Sequence, residues 1–109
     1  MNIHLKLFTN TNNEDKTKKL FSKFINNLNC EYVNLNIEPY HKGGYICSFE
    51  IKTTKEKWPE VILYSLSKAQ IVGRGWAIHG NIETELDAWS NEATISGIES
   101  IQLHVQKSG

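Results

Sequence analysis

The chain has 109 residues, 39% of them hydrophobic, and its 12 Lys+Arg balance 12 Asp+Glu, so the formal net charge is zero. That length suits a single domain over residues 1–109, and the composition excludes a disordered or fibrous chain. No run approaches the roughly 18 apolar residues of a membrane span, no basic and apolar leader follows Met1, and neutrality argues against a dedicated nucleic-acid binder, so a soluble, cytoplasmic protein is expected.

Ile3, Leu5 and Leu7 alternate with His4 and Lys6, the period of a half-buried strand. Thr11 with Glu14 has the form of a capping box opening a helix. In that helix Leu20, Phe21, Phe24, Ile25 and Leu28 make one stripe, Lys16, Lys18, Lys19 and Lys23 occupy the remainder, and Asn26, Asn27 and Asn29 end it. Val33, Leu35 and Ile37, then Tyr45, Cys47, Phe49 and Ile51 beyond the His41-Lys42-Gly43-Gly44 turn, predict a hairpin. Thr53 and Thr54 offer caps to a second helix whose Trp58, Ile62, Leu66 and Ala69 share a face, with Pro59 tolerated in the first turn and the end near Gly73. Trp76, Ile78, Gly80 and Ile82, and later Ile101, Leu103 and Val105, read as two final strands, antiparallel neighbours joined by a long loop over residues 83–100.

The predicted fold is therefore α+β: a five-stranded, mostly antiparallel sheet with two helices on one face, order βαββαββ, an extended ferredoxin-like arrangement.

Little in this pattern predicts catalysis. Cys30 and Cys47, 17 positions apart with no C-x-x-C, read as free thiols acting as small hydrophobes rather than zinc ligands. Gly73, Gly75 and Gly80 follow a helix and precede a strand, the reverse of a phosphate cradle, so a helix cap at Gly73 and a close backbone passage at Gly80 are expected instead. His4, His79 and His104 fall at polar phases of strands and would share the solvent-facing side if those strands were neighbours, but no Asp or Glu occupies an obvious orienting position in sequence. No Ser-His-Asp or Cys-His arrangement can be assembled, and Glu83, Glu85 and Asp87 sit where exposure is expected. No catalytic residue, metal or cofactor is predicted.

The charge distribution is more telling. Residues 1–75 hold 11 Lys+Arg and 7 acids, whereas residues 76–106 hold no cation and five acids: Glu83, Glu85, Asp87, Glu92 and Glu99. Within that acidic run Trp76 is in phase with Ile78 and Ile82, while Trp89 belongs to no apolar period. Negative charge steers a basic partner and an aromatic anchor supplies buried contact area, so Glu83, Glu85, Asp87, Trp89 and Glu92, with His79 beside them, are the predicted partner-binding residues. The lysines of the first helix read as a solvated face, because a lone arginine, Arg74, is poor equipment for phosphate or base contacts.

The stretch G-R-G-W-A-I-H-G-N-I (73–82), the run L-D-A-W-S-N (86–91) and the small α+β layout resemble the immunity proteins of bacterial toxin–immunity systems, in particular those of contact-dependent growth inhibition. The resemblance implies a cytoplasmic, non-catalytic protein that binds and blocks a cognate toxin domain, a basic nuclease, RNase in preference to DNase. The neutral net charge departs from the acidic composition common among nuclease inhibitors of this kind. Two other readings stand beside it: a small-molecule-binding or regulatory ferredoxin-like domain holding its ligand between the sheet and the 73–80 turn, and an enzyme using the histidine face.

Overall fold

The computed structural model describes residues 1–108. Strand β1 (Asn2–Thr9) leads into helix α1 (Glu14–Leu28), the hairpin β2 (Tyr32–Pro39) and β3 (Tyr45–Lys52), and helix α2 (Trp58–Val72). Five further strands follow: β4 (Gly73–Arg74), β5 (Ala77–His79), β6 (Glu85–Ser90), β7 (Glu92–Ala93) and β8 (Ile98–Gln106). Six of the eight form one antiparallel sheet in the order β2-β3-β1-β8-β6-β5, while β4 and β7 pair separately.

The sheet is built as alternation dictates: Ile3, Leu5, Leu7, Cys47, Phe49, Ile51, Leu86, Ile101, Leu103 and Val105 are buried on one face. They form a single core with Phe21, Phe24 and Leu28 of α1 and Val61, Ala69 and Val72 of α2. Three edge-to-face aromatic contacts fill the end beneath α1, with Phe21 and Phe24 against Phe49 and Phe21 against Tyr32. The opposite face of the sheet carries no helix, and His4, Lys6, Asp87 and Gln102 on it are exposed.

The helix ends correct two sequence expectations. The capping box does not form: Asn13 is the N-cap and its Oδ1 accepts from the Lys16 N–H at 2.8 Å. Thr11 instead turns inward, within 2.7 Å of Thr9 and 2.6 Å of Thr17 through their hydroxyls, so a Thr chain ties β1 to the first helical turn. At the other end Asn29 adopts the left-handed conformation and its N–H reaches the Ile25 carbonyl. In α2 neither Thr53 nor Thr54 caps; Lys57 is the N-cap without a side-chain bond, and the buried stripe is Val61, Ser65, Ala69 and Val72 rather than one through Ile62 and Leu66. Gly73 does end the helix, its N–H bonded to Ala69.

The largest correction concerns the last third. The sheet has six strands, not five, and the segment read as a 83–100 loop contains β6 and β7. The strands carrying Ile78 and Leu103 are not neighbours, because β6 pairs with β5 on one side and β8 on the other. Strand β5 is also shorter than expected: Gly80 turns left-handed (φ +82°) and the N–H groups of Thr84 and Glu85 close on the Asn81 carbonyl. What passes close to Gly80 is not backbone but the Glu85 carboxylate, which lies where a Cβ would stand.

Both cysteines are free, Cys47 buried in the core and Cys30 half-buried against Tyr64, 3.6 Å from its hydroxyl. Burial pushes the Cys47 thiol up from 9.0 to about 11, and burial followed by the contact with Cys30 pushes Tyr64 up from 10.0 to about 12. A raised folded-state value means the unfolded chain ionises first, so the Cys47 contribution is complete below pH 9.0 and is lost as pH rises toward about 11. Unfolding free energy should accordingly fall over that interval, and Cys47→Ala should flatten the fall. In the native protein a maleimide should modify Cys30 before Cys47; equal rates would show that Cys47 is not held in the core.

Candidate functional site

The sheet register assembles a site on the open face that no local spacing announces. His4 on β1 stands directly opposite Glu50 on β3 and His104 on β8. Asp87 on β6 stands opposite His104 and, on its other side, His79 on β5. A single row therefore crosses five strands in the order Glu50, His4, His104, Asp87, His79. The acids missing from the sequence reading are thus present, each beside a histidine.

The contacts along the row differ in kind. His4 Nε2 lies 3.8 Å from Glu50 Oε1, and His104 Nδ1 lies 3.8 Å from Asp87 Oδ1. Both separations are long for hydrogen bonds and become ion pairs when the imidazole is protonated. Glu50 is fixed from elsewhere: Asn34 Nδ2 donates to its Oε2 at 2.6 Å and Asn2 Nδ2 to its Oε1 at 3.0 Å. These two bonds, in that order, hold the Glu50 carboxyl below the usual carboxylate range, with His4 and Lys52 adding attraction. Asn34 reaches Glu50 from a left-handed position (φ 58°) within the irregular stretch of β2 pairing.

The adjacent row runs Ser48, Lys6, Gln102, Trp89, Ala77. Trp89 projects outward because Leu86, Ala88 and Ser90 take the inward phase of β6, and it remains 40% exposed. Its indole N–H donates to His79 Nε2 at 2.7 Å. That nitrogen must be unprotonated to accept, which places the proton of the neutral ring on Nδ1. His79, Asp87, Trp89 and Gln102 surround a shallow depression of about 340 Å³, adjoined by a second of about 280 Å³ at His4, Lys6 and His104.

The six sequence-predicted residues gather at this end of the sheet without forming one cluster. Asp87, Trp89 and His79 are together. Glu85 shares their face of β6 but is half-buried, its carboxylate folded over Gly80. Glu92, on β7 and paired with Arg74, lies across a neighbouring depression that Trp89 also borders. Glu83 is in the exposed β5–β6 turn, its N–H bonded to Asn81 Oδ1 at 3.1 Å. Trp76 has the other role that its phase allowed: it packs on the core and donates to the Ala69 carbonyl at 3.1 Å. Ile78 pairs with inward-facing Ala88 and so points to the helix side of the edge strand, where it is 51% exposed, and Ile82 follows in the β5–β6 turn, 44% exposed, its carbonyl accepting from the Trp58 indole at 2.7 Å. The cations of α1 lie elsewhere, on a helix that packs over β2 and β3 at the far end of the sheet.

Chemically, this surface offers an acid with imidazoles on both sides and an exposed indole. Among the described residues no three His, Cys, Asp or Glu side chains are placed to hold a metal ion, and no helix is long and apolar enough to cross a membrane. No protein-family model, curated protein or solved structure matches the chain.

Proposed function

We propose that the chain is a non-catalytic, cytoplasmic immunity protein that binds and neutralises a cognate bacterial toxin domain, a basic nuclease, through the β5–β6 end of its sheet. In this reading β8, β1, β3 and β2, with α1 and α2 between them, make a ferredoxin-like unit that β6 and β5 extend, and the extension carries the docking surface. The observation that carries the reading is Trp89: a large aromatic side chain, 40% exposed on a helix-free face, set beside Asp87 in a segment without Lys or Arg. An exposed indole with an acid beside it has the composition of an interface centre, where aromatic anchors supply contact area and charge steers a basic surface into place.

The test begins with the reading frame immediately upstream of this one in its source. Its C-terminal domain is induced alone and together with this chain. Growth arrest that the chain relieves, with the two proteins purifying as a complex, is the expected result. A harmless neighbour, or a toxin the chain leaves active, would overturn the reading. Within a complex that does form, Asp87→Lys together with Glu85→Lys should slow association and weaken its salt dependence, whereas unchanged association would remove this end of the sheet from the interface.

A further inference from the structure

The depression beside Trp89 has features more specific than a generally acidic surface. Its floor carries one carboxylate, Asp87, for which no Lys or Arg lies within ion-pairing distance among the described residues. One wall is the Trp89 ring, steadied by the bond to His79, whose ring centroid is 6.3 Å away and tilted by 34°. The other wall is Gln102, a neutral amide with acceptor capacity. A carboxylate next to an aromatic ring is the environment that attracts a guanidinium or ammonium group, which pairs with the acid while lying against the ring.

We propose that this depression seats a single cationic side chain, arginine in preference to lysine, contributed by the protein partner, and that neutral His79 is required to hold the seat open. The proposal rests on the binding reading above and names what the partner must supply. Arginine is preferred because its planar fork can meet the Asp87 carboxylate and the Gln102 amide oxygen while stacking on the indole, whereas an ammonium is a compact, strongly hydrated charge.

The dependence on His79 follows from the hydrogen bond. When its Nε2 gains a proton it can no longer accept from Trp89, so the indole loses its brace and a like charge appears beside the incoming cation. The other charged groups on this face act in the same or a lesser sense. His104 on β8 faces Asp87 directly and, once protonated, competes for the carboxylate; on β1, one strand further away, His4 stands between His104 and Glu50, while Lys6 stands opposite Gln102 and borders the adjoining depression with Asp87; Glu85 on β6 is folded over Gly80. A proton on either ring therefore weakens the seat, from one side of Asp87 or the other.

The test uses the full chain and two small probes of the same shape, Nα-acetyl-arginine amide and its uncharged counterpart Nα-acetyl-citrulline amide, followed through the Trp89 indole N–H resonance, which Trp89→Phe identifies. The arginine probe should move that resonance saturably, and citrulline, or arginine with Asp87→Asn, should bind about five-fold more weakly, the scale of an exposed cation–π contact. His79→Phe, which cannot accept from the indole, should weaken the arginine probe by a comparable factor. Equal binding of the two probes, insensitivity to Asp87→Asn, or an unmoved indole resonance overturns the seat, even if the neighbouring toxin is neutralised. Probe binding as expected, with no toxin neutralised, overturns the functional reading and leaves the seat standing.

Discussion

Replacing Phe24 with alanine should cost about 4 kcal/mol of unfolding free energy, a large share of the roughly 5–15 kcal/mol that holds a domain of this size together. Phe24 is completely buried and is the largest fully enclosed side chain in the protein. Its ring meets Phe49 edge-on at 5.9 Å, and Phe49 in turn meets Phe21 at 4.9 Å, so truncation opens a void where α1 is fastened to β3. The surrounding elements cannot close that void without moving a helix that also packs on α2. Urea denaturation of Phe24→Ala gives the measurement. Leu63→Ala is the matched control: Leu63 is 68% exposed on α2, and its loss should stay within about 0.5 kcal/mol. Similar losses for the two variants would mean that α1 is not anchored through this aromatic cluster.

The second large effect separates two tryptophans that are only 13 positions apart. Trp89→Ala should weaken binding of the neutralised toxin by on the order of 2 kcal/mol, about thirty-fold in Kd, while leaving thermal stability nearly unchanged. Trp76→Ala should do the reverse. The Trp76 ring packs on the core and its N–H is a second donor, beside that of Gly73, to the Ala69 carbonyl at the end of α2, so its removal leaves a cavity and takes one of that carbonyl's two hydrogen bonds. Trp89 has its ring on the open face, and its hydrogen-bond partner His79 is exposed and can turn to water. Thermal unfolding and titration against the purified toxin domain distinguish the two outcomes. A Trp89 variant that loses stability but keeps its affinity would make this residue part of the fold and move the interface elsewhere.

The alkaline sensitivity of the core depends on Cys47 and Tyr64, whose raised folded-state values make stability fall as pH rises above about 9.

Much of the architecture was legible in the amino-acid sequence because burial on one side imposes a strict period. Leu5 and Leu7, Phe49 and Ile51, and Leu103 and Val105 are large, apolar and spaced by two, so β1, β3 and β8 stand out; the stripe through Phe21, Phe24 and Leu28 marks α1 equally well. Strand β6 obeys the same period with a fainter alphabet. Its inward residues are Leu86, Ala88 and Ser90, one large, one small and one polar, and its most hydrophobic member, Trp89, points outward. Ser90 can face inward only because its hydroxyl bonds the Arg74 carbonyl and accepts from the Glu92 N–H, partners supplied by β4 and β7. A strand whose buried polar group is satisfied by distant backbone has no apolar signature of its own.

The candidate site divides in the same way. The sequence by itself determined the acidic, cation-free segment, the unphased Trp89 and the outward phase of His4, His79 and His104, because charge content and alternation are local properties. Tertiary structure decided that Asp87 lies between His104 and His79, that Glu50 stands beside His4, and that Glu83 and Glu85 are set apart from the centre. Those neighbours are brought together by hydrogen-bonded register between strands far apart in the chain, and register is set jointly by every pair in the sheet, which no single segment encodes.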